Sequence, residues 1–165
     1  MMVVGVLLII LSVALPAVQS AVQGYRLMGD ARGIAAQLSL ARMLAASNFT
    51  RTAVYFDTTA QTYQVEAWSK SSGILQPVSG AQPLSPGNVF GYGSVTIPAG
   101  AQTTITQTTP IYFNSRGVAV DNAGNSKGDS AIYITNNQGA YCAIAVSVAG
   151  QPSVLKLKGS AWVPF

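Results

Sequence analysis

Asp121, Asn125 and Asp129 place oxygen-bearing side chains at four-residue intervals in the run DNAGNSKGD, and such oxygens are what calcium takes. The order is wrong for an EF-hand loop: Ala123 holds the third position and Ser126 stands where the sixth-position glycine belongs. The run reads as a polar turn, and no metal site is expected. Ser69-Lys70 and Ser126-Lys127 offer a hydroxyl beside an amine, but neighbours on a strand point apart, and a Ser/Lys nucleophile needs the two within hydrogen-bond reach. Glu66 is the sole glutamate and has no second carboxylate near it in sequence. The chain contains no histidine, so the commonest general base and metal ligand is missing. No catalytic residue and no cofactor is expected, and the chain reads as a non-enzyme without a small-molecule substrate.

Other side chains suggest binding rather than reaction. Tyr92, Tyr112, Tyr133, Tyr141 and Trp162 could form an aromatic surface, or could cap a sheet. Asn48-Phe49-Thr50 fits a glycosylation sequon, a pattern common by chance. Lys156 and Lys158 alternate with Leu155 and Leu157, which places both lysines on one face of a strand. Two lysines give at most a weak, salt-sensitive contact with phosphates, so DNA is a weakly supported partner. The single cysteine, Cys142, alternates with Ile144, Val146 and Val148 and reads as a buried apolar thiol.

The elements that must hold these residues follow from composition and pattern. The chain has 165 residues, enough for one domain with a real core. Apolar residues make up 49% and charged residues 8%, against roughly 25% charged in an average soluble domain. That balance excludes disorder. The net charge is +4, and the basic residues are scattered, without the polybasic cluster of a committed nucleic-acid binder.

Met1 to Gly24 carries no charge, and MMVVGVLLIILSVAL is nearly all aliphatic. As a helix, Met1 to Val18 would run about 27 Å, just short of a bilayer core of about 30 Å. Three readings fit this segment. A signal peptide would be cleaved after Ser20, although no basic residue precedes the apolar run. An ordinary membrane anchor is the second. The third is a helix that continues into an amphipathic stretch beneath the head, with Pro16 as a kink or local break. The third is favoured by Leu27, Ala31, Ile34, Leu38, Ala41 and Ala45, which recur at three- and four-residue steps and form one helical face. Continued to about Ser47, the helix would reach roughly 70 Å, too long for a domain of this size to cover.

Beyond Asn48 the texture is that of strands. Thr52–Asp57 and Thr62–Trp68 read as a hairpin, and Ser69–Gly93, with Pro77, Pro83 and Pro86, as a long loop carrying short extended pieces. Ser94–Ile97, Thr103–Thr106 and Pro110–Asn114 read as further strands. So do AIYITN, YCAIAVSV and SVLKLKG, the first two joined across Asn137-Gln138-Gly139. A helix followed by consecutive antiparallel strands predicts an α+β fold, with Leu27, Ile34, Leu38, Ala41 and Ala45 packing on the sheet. The expected organisation is an apolar transmembrane or filament-core helix over 1–24, its amphipathic continuation over 25–48, and a β-rich head over 49–165.

These stretches resemble the type IV pilin-like proteins, in particular minor pseudopilins of the GspH/FimT class. The likeness is carried by VVGVLLIILSVALPAVQS (Val3–Ser20), GDARGIAAQLSLARMLAASNFTRTAVYF (Gly29–Phe56), IYFNSRGVAV (Ile111–Val120) and IYITNNQGAYCAIAVSVAGQPSVLKLKG (Ile132–Gly159). Ser69 to Thr109 is generic. The resemblance implies a pilin-like fold and a structural subunit of a type II secretion or type IV pilus-like filament. It implies residence in the bacterial inner membrane as a single-pass protein before assembly, with the head in the periplasm or exterior, and partners among other pilin subunits. Val3, Val4, Val6, Leu7, Leu8, Ile9, Ile10, Leu11, Val13, Leu15 and Pro16 would then pack in lipid or in the filament core.

Two departures stand out. The Phe-Thr-Leu-Ile-Glu type segment and the prepilin-peptidase site that open such chains are not among these residues: either they lie upstream of Met1 or this copy is degenerate and is not processed, and the intact apolar run favours the first. The Gly-Arg element with which some members bind DNA is replaced by Gly150-Gln151-Pro152. The alternatives are a secreted, non-enzymatic binding module released after Ser20, and a DNA-capturing minor pilin.

Overall fold

The structure, a computed structural model, describes residues 2–136 and 138–165, with side chains from residue 19 onward. It opens with helix α1 (Met2–Ser47), 46 residues long. Leu27, Ala31, Ile34, Leu38, Ala41 and Ala45 are fully buried, at alternating steps of four and three that keep one narrow stripe facing inward. The three alanines bring the helix axis close to the strands, while Ile34 and Leu38 fill the space between. Each of these two contributes about 1.5–3 kcal/mol by leaving water.

Among the described residues, eleven strands follow in two antiparallel sheets. The first contains β1 (Thr52–Asp57), β2 (Thr62–Ser69), β3 (Ile74–Pro77), β6 (Ile111–Phe113) and β7 (Ala119–Val120), in the order β3-β2-β1-β6-β7. The short β4 (Gln82–Pro83) pairs with the start of β2. The β1–β2 hairpin is in register from Thr52 opposite Ala67 to Asp57 opposite Thr62. Its turn is closed by the Asp57 carboxylate, which accepts from the Thr59 and Ala60 amides at 2.8 Å each. Those two bonds hold the carboxyl below its ordinary pKa.

The second sheet runs β11-β10-β9-β8-β5. Its strands are β5 (Asn88–Phe90), β8 (Ser130–Asn136), β9 (Tyr141–Val146), β10 (Pro152–Lys158) and β11 (Ala161–Pro164). Alternation sends Ile132, Ile134, Cys142, Ile144 and Val146 toward the helix, where they meet Val54, Phe56, Val65, Ile111 and Phe113 of the first sheet. The opposite face of β8 and β9 carries Ala131, Tyr133, Ala143 and Ala145, and these too are buried.

The cover on that opposite face corrects the sequence reading. Ser94–Ile97 and Thr103–Thr106 are not strands but parts of an irregular loop. The edge of β8 that a strand would occupy is met largely by side chains. Gln107 Nε2 donates to the Tyr133 carbonyl at 3.0 Å, and the Tyr133 amide donates to Gln107 Oε1 at 2.9 Å. Beside them Thr108 N donates to the Ala131 carbonyl, and Ala131 N to Thr108 Oγ1. One side-chain amide thus reproduces the donor and acceptor of a paired strand residue. The head also divides into two sheets rather than one, and β7 and β11 are strands the sequence did not announce.

Candidate interaction surface

The reactive side chains are dispersed. Asp121 closes its own turn, accepting from Asn125 N at 2.9 Å and Asn125 Nδ2 at 3.1 Å, and these bonds lower its pKa. Asp129 lies 3.8 Å from Lys127 Nζ. Glu66 accepts from Gln64 Nε2 at 2.8 Å. Ser69 Oγ meets Ser71 Oγ rather than an amine. Among the described residues, no three His, Cys, Asp or Glu side chains come together as metal ligands. Burial pushes the Cys142 thiol up to about 11, with Lys156 pulling weakly the other way.

The aromatic residues do not form one surface. Tyr133 is buried between Tyr92, at 5.9 Å between ring centroids, and Trp162, at 5.8 Å. Its hydroxyl donates to Gln102 Oε1 at 2.5 Å and accepts from the Ala99 amide at 2.8 Å, which pins the loop before β6. Trp162 Nε1 donates to the Ile97 carbonyl at 2.9 Å. Tyr141 faces Ser94, and Tyr112 lies in the other sheet beneath the Arg51 guanidinium, 4.1 Å from its ring centre.

The joint between α1 and the head is polar as well as apolar. Asp30 accepts from Ser85 N at 2.9 Å, Ser85 Oγ at 2.8 Å and Asn88 Nδ2 at 2.6 Å. Thr52 Oγ1 donates to the Ala41 carbonyl at 2.8 Å in a buried position. Gly33 leaves room for the Tyr63 hydroxyl, which a Cβ would meet at 3.0 Å. The helical pattern puts Asp30 among the exposed positions beside the stripe, whereas it is half-buried against the head. Its partners lie 55 and 58 residues away, and its one local signal was a carboxylate beside the buried stripe.

N-terminal to Leu27 the helix has little cover. Gln19 to Val22, Tyr25 and Arg26 are exposed, Tyr25 to 79%. A groove of about 320 Å³ runs there between the helix and the end of the second sheet, lined by Ala21, Gly24, Tyr25, Met28, Lys156 and Phe165. Lys156 Nζ and the Arg32 guanidinium each lie 5.7 Å from the Phe165 ring centre. Lys156 and Lys158 are both exposed on β10, and the groove brings Lys156 alone to the helix. The packing residues Val3 to Pro16 lie outside those whose side chains are described. Among the described residues, no helix is long and apolar enough to cross a membrane.

This architecture matches solved structures. One, the minor pseudopilin EpsH from the type II secretion system of Vibrio cholerae, superposes with a TM-score of 0.56 at 10% identity, covering 82% of this chain and 99% of that one. A second EpsH structure from the same organism gives 0.54 at 12% identity, over 85% and 99%. No family profile and no curated protein sequence matches the chain. The fold is that of a minor pseudopilin: one long N-terminal helix packed on antiparallel sheets.

Proposed function

We propose that the chain is a structural, non-catalytic minor subunit of a type II secretion or type IV pilus-like filament. Its apolar N-terminal helix rests in the inner membrane before assembly, with the head in the periplasm. The observation that carries this is the division of α1: its stripe is buried from Leu27 to Ala45, while Gln19 to Val22, Tyr25 and Arg26 stand exposed. A helix so divided needs a second environment for its apolar start. Lipid supplies it before assembly and neighbouring helices supply it afterwards, so the exchange moves apolar surface between two dry surroundings at small net cost. The groove at Tyr25 and Phe165 adjoins that exit and suits contact with a neighbouring subunit.

A Leu8→Arg variant tests the reading. A charge at that depth costs about 3 kcal/mol in a membrane helix. The variant is expected to be lost from the membrane fraction and from filaments, while normal anchoring and assembly would contradict the proposal. The secreted-module reading has one observation in its favour: the buried core begins at Leu27, so cleavage after Ser20 would leave it whole. Capture of DNA would rest on Lys156 and Lys158. It requires duplex binding that weakens with salt and with Lys156→Ala/Lys158→Ala.

A further inference from the structure

At the C-terminal end of α1 the chain turns into β1 through Phe49, whose φ is +49°. Asn48 N donates to the Leu44 carbonyl and Thr50 N to the Ala45 carbonyl, the capping pattern in which this left-handed position is ordinarily glycine. Phenylalanine is strained there. Its ring gains little packing in return, since Phe49 is 80% exposed. Beside it Trp68 is 42% exposed, and the two line a cleft of about 400 Å³ with Arg51, Lys70 and Val120. Arg51 is held over Tyr112 and donates to the Asp121 carbonyl and Asn122 Oδ1, while its buried Nε has no partner among the described residues.

A second cleft adjoins the first across the turn Asn114–Gly117 and contains Arg42, Met43 and Arg116. The turn is rigid, because Asn114 Oδ1 accepts from both Arg116 N and Val118 N. Among the described residues the one salt bridge is Lys127–Asp129, so Lys70, Arg42 and Arg116 carry unneutralised charge around exposed apolar rings. We infer that this pole of the head docks a partner protein through an acidic segment bearing an aromatic side chain. The ring would enter between Phe49 and Trp68, and the carboxylates would meet Lys70 and Arg116. Charge complementarity and the strained, solvent-facing Phe49 select this occupant. With few free cations and the Asp121 turn alongside, a phosphate backbone would gain little here. The inference holds whether the helix is anchored or released.

The test uses the full chain in a non-ionic detergent. Three labelled probes are titrated: a peptide with one tryptophan among aspartates, its lysine-for-aspartate counterpart, and a single-stranded oligonucleotide of matching charge. Fluorescence anisotropy gives the affinities, and NMR shifts give the location. The acidic peptide is expected to bind, with shifts at Phe49, Trp68 and Lys70. Phe49→Gly and Lys70→Glu/Arg116→Glu should each weaken it about tenfold or more, while the thermal midpoint of Phe49→Gly stays at or above that of the parent. Absent binding, shifts elsewhere, tighter binding of the oligonucleotide, or a lowered midpoint for Phe49→Gly would each overturn the inference.

Discussion

Asn88 Nδ2 donates to Asp30 Oδ2 at 2.6 Å, tying the first turn of the buried part of α1 to the outer strand of the second sheet. With the two bonds from Ser85, it makes Asp30 the polar fixing point of a joint otherwise held by apolar contact. Bonds to a charged acceptor are worth more than neutral ones, and removing the acceptor leaves three donors to find water. Asp30→Ala is expected to destabilise the head by about 2–3 kcal/mol. The thermal midpoint should fall by about 4–12 °C, and less for Asp30→Asn. Calorimetry of the variants decides it, and an unchanged midpoint would show that water replaces the carboxylate freely.

Gln107 stands in for a strand residue against Tyr133, and Gln107→Ala should leave the Tyr133 amide without its partner, while the Tyr133 carbonyl still accepts from Gly91 N at 2.9 Å. A loss of about 1–3 kcal/mol is expected. Hydrogen exchange is the more specific check: the Tyr133 amide should exchange much faster, while the Ile132 and Ile134 amides keep their protection. Uniform acceleration along β8 would instead mean that the whole strand has loosened.

The extent to which this fold could be read from the sequence follows the range of the forces involved. The helix and the β1–β2 hairpin rest on local periodicity, three and four residues in one case and two in the other, so they are legible. The loop from 91 to 110 is not, because Gln107 replaces a strand through contacts 26 residues distant that leave no local pattern. The strand β11 is four residues ending in proline, too short to announce itself. The pole at Phe49 combines a helix cap, β2 and the β6–β7 turn. The sequon Asn48-Phe49-Thr50 drew attention to the site for a different reason, and only the sign of φ at Phe49 reveals what is unusual there.

Gly150 and Gly159 separate two effects. Both lie at positive φ, +73° and +62°. A Cβ at Gly150 would stand 2.1 Å from the Gly117 carbonyl oxygen, whereas one at Gly159 meets nothing within 4 Å. Gly159→Ala should cost about 1 kcal/mol, from backbone conformation alone. Gly150→Ala must also displace backbone and should cost well above that, about 4 kcal/mol or failure to fold. Denaturant midpoints of the pair measure the difference, and equal values would contradict the close approach of the two turns.

Cys142 makes a prediction about pH. Burial raises its thiol to about 11 in the folded state, from 9.0. Between these values the unfolded chain has lost the proton that the folded chain retains. The contribution to stability is therefore complete below pH 9 and is lost as pH rises toward 11. The parent should lose stability relative to Cys142→Ala across that window. At neutral pH the thiol should react with a disulfide reagent only as fast as the protein opens. Rapid labelling of the folded protein would place Cys142 at the surface.

The central claim is that the helix serves first as an anchor and then as filament core, and the N-terminal residue of the protein isolated from its native host tests it most directly. Mass spectrometry of that material should find an N-methylated residue a few positions upstream of Met1, in protein recovered with inner membrane or sheared filaments. A free Ala21 in soluble protein would contradict the account and leave a secreted module carrying the same head.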